Sequence, residues 1–385
     1  MDFELTKTQK MIADLAKNFA EKEIQPIIHQ LEEGATFPSE QVKRMGQLGL
    51  MGLTIPREYG GAGLDTLSYL LAVKEISRVS ASLGIILSVH ISLACEGIYR
   101  FGTEAQKKKY LPNLARGEKL GAFALTEPQA GSDAGSIMTR AQKREGKFFL
   151  SGTKSWVTSG PGAGVFLVFA RSESGQNSRG ISAFIVTPEL PGFHLGKVER
   201  KLGILAAQSC EIHLSNCEVP EENLLGKEGE GLRIALSCLD SGRLGVAAQA
   251  IGIAEAAYSA SLAYAKERMA FGQRIADFQA IQWMLVEMYT RIEQAKLLLY
   301  YAATKKDRKE PFTKEAAMAK VSASETAVWS TTKAIQIHGG IGYSKEFPLE
   351  RYFRDAKVTE IYEGTSEIQR LVIARHLLKI SKERS

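Results

Sequence analysis

The 385-residue sequence has few of the residues that build disulfide frameworks and metal centres. Its four cysteines form no CxxC pair, and its six histidines form no HxxxH or HExxH spacing. So few cysteines in so long a chain are typical of reduced cytosolic thiols and not of a disulfide-stabilised secreted protein. We therefore expect neither disulfides nor a metal ion.

Long apolar runs and blocks of one charge are also missing. No uninterrupted apolar run approaches the roughly 18–20 residues that cross a bilayer, and the first ten residues lack the apolar core of a signal peptide. Lysine and arginine number 49 against 43 acidic residues, a formal net charge of +6 without a basic stripe. We therefore expect a cytoplasmic protein that neither spans a membrane nor binds nucleic acid. The mild positive charge suits an anionic ligand such as a phosphorylated cofactor.

The motifs of several common enzyme classes are absent. The chain contains no GxSxG elbow and no P-loop. Residues 160–164 are rich in glycine, but they do not match GxGxxG and they lead into a predicted strand, so we interpret them as a turn. A nicotinamide-binding Rossmann site therefore has no support.

What is present is an α+β pattern in three parts. Residues 1–120 favour helices: Thr6 and Gln9 have capping-box spacing, and Met11 and Phe19 lie on one predicted face. Residues 121–230 contain short apolar runs between glycines and prolines, too close together for intervening helices, which predicts an antiparallel β domain of barrel or sandwich type. Residues 231–385 return to helical periodicity and predict a four-helix bundle.

Three segments combine small residues, hydroxyls and carboxylates. Residues 126–133 could bring backbone amides close to a planar ring or a phosphate, or form a polar turn. Residues 336–342 carry three glycines in four positions, which could approach a ligand or end a helix. In residues 362–367, Glu363 stands just before an amphipathic stretch, as a helix-start carboxylate or as a catalytic base.

Taken together, these segments resemble the acyl-CoA dehydrogenase family of flavoproteins over essentially the whole chain. Five motifs occur in the family's order, namely ALTEPQAGSD at 124–133, WVT at 156–158, RMAFG at 268–272 followed by Gln279, QIHGG at 336–340 and IYEGT at 361–365. The butyryl-CoA or short-chain group is the most similar in appearance.

The resemblance implies α,β-dehydrogenation of an acyl-CoA thioester to the 2-enoyl-CoA. Glu363 is the implied base that removes the α-proton, while hydride passes from Cβ to flavin N5. Some relatives carry the base immediately before the arginine of an Asp-x-x-Arg segment, where this chain has Gly242 between Asp240 and Arg243. Asp240, Arg243, Gly364 and Ser132 are the implied substrate contacts, and the alternative for Asp240 and Arg243 is a helix-start ion pair.

FAD is the implied cofactor, and two sets of contacts are expected for it. One subunit is expected to supply Phe123, Leu125, Thr126, Gly131, Ser132, Trp156, Val157 and Thr158, with Thr365 and Glu367 closing over the same cofactor. A neighbouring subunit is expected to supply Arg268, Phe271, Gln279, Gln336, Gly339 and Gly340. The resemblance therefore implies a homotetramer, arranged as a dimer of dimers, that passes electrons to an electron-transfer flavoprotein.

The acyl group is less well defined by the sequence. Decarboxylating glutaryl-CoA relatives carry an arginine where this chain has Gly84, so a terminal carboxylate would lack that partner. Ile85, Ile86 and Leu87 suggest an apolar acyl tail or ordinary helix core. A branched, cyclic or aryl-containing acyl group stays open, as do an acyl-CoA oxidase that uses oxygen and a catalytically silent CoA-binding protein on the same scaffold.

Overall fold

The computed structural model describes residues 4–172 and 180–379, which form a helical part, a sheet and a second helical part. The first part contains α1 (Lys7–Phe19), α2 (Ile28–Glu33), α3 (Ser39–Gln47), α4 (Thr66–Val79), α5 (Ala81–Ser88), α6 (Glu96–Phe101) and α7 (Glu104–Ala115). The predicted capping box is confirmed, because Thr6 and Gln9 exchange side-chain and backbone hydrogen bonds. The buried face of α1 differs by one position from the prediction: Ile12 is buried, whereas Met11 is 59% exposed.

The chain from α5 to α6 forms one long apolar segment. Ala81–Phe101 is long and apolar enough to cross a membrane, with a mean hydropathy of 1.7 over an 18-residue window, and that window is entirely buried inside the protein. A core helix of a water-soluble fold has the same properties. Here the segment lies in the largest apolar core and contacts the first strand and the longest helix.

Within the described residues, the central sheet contains eight strands. They are β1 (Gly121–Ala124), β2 (Arg140–Arg144), β3 (Lys147–Thr158), β4 (Val165–Ser172), β5 (Ile181–Val186), β6 (Phe193–Val198), β7 (Ser209–Pro220) and β8 (Leu224–Leu225). Their order is β6-β7-β3-β2-β4-β5-β8, with β1 also paired to β4.

Pairing in this sheet is mixed. Five pairs are antiparallel as predicted, but β1 and β2 both run parallel to β4. The parallel pairs arise because β3 folds back on the far side of β2 and returns the chain to β4 in the original direction. Strands that follow each other closely in the sequence are expected to form antiparallel hairpins, so the short distances between the predicted strands did not reveal the parallel pairs.

The sheet curls over on itself. The rings of Phe166 in β4 and Phe193 in β6 have centroids 5.0 Å apart, although three strands separate them in the sheet order. In a flat sheet, strands about 4.8 Å apart would place them about 19 Å from each other. Phe166 belongs to the core inside this curl, whereas its neighbour Leu167 belongs to the core shared with the helices.

The second helical part packs against the first. It contains α8 (Gly231–Glu267), a short hairpin of β9 (Met269–Ala270) and β10 (Gln273–Arg274), α9 (Gln279–Asp307), α10 (Thr313–His338), α11 (Leu349–Thr359) and α12 (Ser366–Leu377). Helix α8 is the centre of this arrangement, because α4, α9, α10 and α11 all contact it. The predicted helix–sheet–helix architecture is thus confirmed.

Candidate active site

The candidate catalytic carboxylate lies in a tight turn between α11 and α12. Glu363 and Gly364 both have left-handed backbone conformations, with φ of 53° and 97°. A left-handed glutamate is uncommon and is maintained only where surrounding contacts hold it. Directly after it, the hydroxyl of Thr365 accepts a hydrogen bond from the Ile368 N–H and caps α12.

The Glu363 carboxylate is buried and has no hydrogen-bond partner among the described residues. It faces the backbone of α8 at Gly242, where an added Cβ would meet Oε2 at 1.9 Å and the Leu93 side chain at 2.9 Å. Burial raises the pKa of Glu363 to about 7, because the charged form loses its hydration and gains no donor.

Two buried cations act on this carboxylate from different helices. The charges of Lys320 in α10 and Arg243 in α8 oppose the effect of burial on its pKa. Arg243 is itself paired with Asp240, at 2.5 Å between Nη1 and Oδ1, and Asp240 also accepts a bond from the Thr313 hydroxyl. The predicted Asp240–Arg243 ion pair therefore exists, but it lies inside α8 and not at its start.

Sequence reasoning missed the groups that hold the turn. Lys320 Nζ donates to the Gly364 carbonyl at 2.8 Å, and Gln369 Nε2 donates to the same oxygen at 2.9 Å. The Tyr362 hydroxyl bonds to the side chain of Gln249. The sequence does contain one signal for Lys320, which is its position among the small residues Ala316, Ala317, Ala319 and Ala323, all of which are buried in α10.

A second group of predicted residues gathers where β1 and β3 end. Phe123 lies in β1, followed by Leu125 and Thr126, and the Ser155 N–H donates to the Thr126 carbonyl at 2.9 Å. Trp156 then adopts a left-handed conformation and leaves its side chain 57% exposed. The structure thus brings Thr126 close to Trp156, whose planar ring is exposed.

The remaining members of this group lie on the same two segments. Val157 is buried and Thr158 half-buried at the end of β3, while Gly131 and Ser132 are exposed in the loop before β2. A side chain at Gly131 would meet no atom within 4 Å, so this loop borders open space.

A buried ion pair fixes the base of this loop. Lys154 Nζ contacts Glu127 Oε1 at 2.7 Å and donates to the Leu125 carbonyl at 3.1 Å. Glu127 also accepts hydrogen bonds from the backbone N–H groups of Met138 and Thr139. Although burial raises the pKa of Glu127, these partners lower it to about 2.

The third group lies at the far ends of α8 and α10. The rings of Tyr264 and His338 stack at 4.3 Å, which places the hairpin motif that starts at Arg268 beside the glycines after α10. All six predicted residues here are exposed, namely Arg268, Phe271, Gln279, Gln336, Gly339 and Gly340. Among the described residues, no hydrogen bond or ion pair joins them to the Trp156 group.

Sequence models of a known family cover nearly the whole chain. Those described as the N-terminal, middle and C-terminal domains of acyl-CoA dehydrogenase match residues 6–118, 122–217 and 229–378. The chain belongs to the acyl-CoA dehydrogenase family. As a member of this family, it is an oxidoreductase.

Individual members of the family agree with this assignment. An acyl-CoA dehydrogenase of Bacillus subtilis is 52% identical over 97% of this chain and 99% of its own. A short-chain-specific acyl-CoA dehydrogenase of Clostridium acetobutylicum is 48% identical over 98% of this chain and 100% of its own. The structure of butyryl-CoA dehydrogenase from Megasphaera elsdenii superimposes with a TM-score of 0.97 at 45% identity, covering 98% of this chain and 100% of that one.

Proposed function

We propose that this chain catalyses the FAD-dependent α,β-dehydrogenation of an acyl-CoA thioester to the 2-enoyl-CoA, with Glu363 as the base. The observation that carries the proposal is the buried Glu363 carboxylate, which has no hydrogen-bond partner among the described residues. A base must be free to accept a proton, and a pKa of about 7 matches proton abstraction near neutral pH.

The backbone around Glu363 can stabilise the charge that develops on the thioester oxygen. The N–H of Glu363 has no acceptor among the described residues, so it is free to donate to a substrate. Gly364 follows without a side chain, and an added Cβ would meet Gln369 Nε2 at 2.5 Å, so a larger residue here would displace the amide that holds the turn. A donor aimed at the enolate oxygen is most effective where water is excluded, as it is around this carboxylate.

The site at the ends of β1 and β3 fits a flavin. Trp156 presents an exposed ring, Thr126 and Thr158 supply hydroxyls nearby, and the loop at Gly131 borders open space. When bound, FAD supplies the acceptor for the hydride that leaves the substrate Cβ. We assign Phe123, Leu125, Val157, Ser132, Thr365 and Glu367 to the same cofactor by resemblance.

A neighbouring subunit completes the flavin site in this proposal. The six residues assigned to it are all exposed, and the Phe271 side chain is 98% exposed at the tip of the β9–β10 hairpin. Arg268 suits a pyrophosphate because its planar guanidinium can donate two hydrogen bonds. We therefore propose a homotetramer, arranged as a dimer of dimers, which sedimentation equilibrium of the FAD-bound protein would show as four chain masses.

A short, unbranched acyl chain is the proposed substrate. The short-chain and butyryl-CoA relatives support it, and Gly84 argues against a terminal carboxylate. A Cβ at Gly84 would lie 1.9 Å from Ser77 Oγ, so α5 packs against α4 with no space for an arginine. Ile85, Ile86 and Leu87 are buried in the helical core, so they need not contact an acyl tail. A branched, cyclic or aryl group is the alternative.

The experiment is anaerobic titration of the purified yellow protein with a panel of straight, branched, cyclic and aromatic acyl-CoAs. Butyryl-CoA is expected to bleach the flavin most rapidly. A protein that takes up no FAD, or whose flavin no acyl-CoA bleaches, would contradict the proposal. Rapid turnover with electron-transfer flavoprotein supports it as the electron acceptor, whereas peroxide release in air would instead indicate an acyl-CoA oxidase.

A further inference from the structure

Lys320 is a fully buried lysine, and the only hydrogen bond of its side chain among the described residues goes to a neutral group. Its Nζ donates to the Gly364 carbonyl, and no carboxylate of the described residues lies within ion-pairing distance. Burial lowers the pKa of Lys320 to about 8. An ammonium group buried without a counter-ion is unfavourable unless a nearby negative charge compensates for it.

The carbonyl that Lys320 holds belongs to the turn that aims the base. Glu363 and Gly364 occupy left-handed conformations in succession, and the Gly364 carbonyl accepts bonds from both Lys320 and Gln369. The two donors come from α10 and from the first turn of α12. They therefore fix the turn from two sides.

Charged and titratable groups surround Glu363 on every neighbouring element. From α8 comes Arg243, whose charge is partly compensated by Asp240, and from α10 comes Lys320. Tyr69 of α4 and the adjacent Tyr362 interact with the carboxylate electrostatically, and Glu360 and Glu367 act on Lys320. Lys320 is thus the cation near Glu363 that lacks a carboxylate partner of its own.

We propose that Lys320 is a positioning residue for the reaction: it locks the Glu363–Gly364 turn and supplies the charge that favours the ionised, proton-accepting form of Glu363. This inference rests on the proposed function, because it assigns Lys320 a role only if Glu363 is the base. Lys320 itself touches neither the substrate nor the reacting atoms.

The test is the pH profile of anaerobic flavin reduction by butyryl-CoA in Lys320→Met. Loss of the positive charge should move the midpoint of the profile to higher pH by about one unit. Loss of the bond to Gly364 should lower the limiting rate by about tenfold to a hundredfold. Lys320→Arg, which keeps the charge, should retain the wild-type midpoint.

Gln369→Met is the matched control, because it removes the other donor to the same carbonyl without changing any charge. It should lower the rate without raising the midpoint. Lys333→Met, on the same helix and away from the turn, should match wild type in both. An unchanged midpoint in Lys320→Met, or an equal upward shift in Gln369→Met, would overturn the assignment.

Two further outcomes are informative. If Lys320→Met loses FAD, Lys320→Gln serves as the neutral variant. If both neutral variants lose FAD while Lys320→Arg retains it, Lys320 has a role in folding, and this result would contradict its proposed role as a positioning residue. Glu363→Gln, measured in parallel, separates this inference from the proposed function. Full turnover by Glu363→Gln would refute the assigned base, whereas an inactive Glu363→Gln with an unshifted Lys320→Met would refute only the role of Lys320.

Discussion

A Cβ atom on Gly242 would lie 1.9 Å from Oε2 of Glu363. The carboxylate therefore occupies the space that any side chain at position 242 would need. Because α8 is buried around Gly242, its backbone cannot move away without disturbing the core. The Glu363 carboxylate can therefore occupy its observed position only if residue 242 has no side chain.

This relationship predicts a large effect from one methyl group. Gly242→Ala should displace the Glu363 carboxylate and lower the rate of flavin reduction by butyryl-CoA about a hundredfold, while FAD stays bound. Stopped-flow absorbance measures the rate. Gly135→Ala is the control, because its Cβ would meet no atom closer than 3.7 Å, and it should retain the wild-type rate. Wild-type activity in Gly242→Ala would contradict the account.

Stability should depend on pH through Glu363. Its pKa in the folded state is about 7, above the ordinary value of 4.5, because burial disfavours the charged form more than the protonated form. The contribution of Glu363 to stability is therefore fully present below about pH 4.5 and is lost as pH rises through 7. Glu363→Gln should match wild type at pH 5 and exceed it at pH 8 by on the order of 3 kcal/mol.

Urea unfolding of both proteins at the two pH values measures this difference. The native state must be intact at each pH, which the flavin absorbance confirms. A stability difference that is the same at pH 5 and pH 8 would mean that Glu363 has an ordinary pKa in the folded protein.

Local signals predicted much of the fold because they act over a few residues. The Thr6 capping box consists of local hydrogen bonds, and it forms as expected. The parallel pairing of β1 and β2 with β4 could not be predicted in the same way. It depends on where β3 lies in the finished sheet, which no short window of sequence contains.

The same distinction applies to the candidate site. Glu363 was predicted as the base from its motif, but its neighbours Lys320 and Gly242 are 43 and 121 positions away along the chain. Their proximity is a property of how α8 and α10 pack. The burial of the carboxylate, which raises its pKa, is likewise visible only in three dimensions.

The Glu127–Lys154 pair should be essential for the flavin loop. Lys154→Met would leave the Glu127 carboxylate buried without its cation, which should cost about 3–5 kcal/mol and reduce the FAD content. The double variant Glu127→Gln/Lys154→Met should recover part of that loss, because no charge stays buried. Thermal unfolding and the flavin absorbance of each purified variant report the outcome. Equal stability of the single and double variants would show that the pair is not coupled.

A second pH dependence of stability is expected from Asp355, which lies at the junction of the three parts of the chain. Its carboxylate accepts the Ile204 N–H at 2.5 Å, next to Glu32, which accepts the N–H groups of Leu205 and Ala206. Burial and the Glu32 charge raise the pKa of Asp355, whereas Arg351 and Arg354 oppose the shift. Stability contributed by Asp355 should therefore be lost as pH rises towards neutrality.

Asp355→Asn keeps an oxygen acceptor for Ile204 without the charge. Its melting temperature should equal that of wild type at pH 5 and exceed it at pH 8. The exposed Asp14→Asn should show no pH-dependent difference from wild type. A lower melting temperature for Asp355→Asn at pH 8 would mean that the charged form of Asp355 is the favoured one.

The central claim is that Glu363 removes the α-proton. Its most direct test is the rate of anaerobic flavin reduction by butyryl-CoA in wild type and in Glu363→Gln at matched FAD content. The account predicts that Glu363→Gln binds FAD as wild type does and reduces it at least about a thousandfold more slowly. Reduction by Glu363→Gln within tenfold of the wild-type rate would contradict the account and place the base elsewhere.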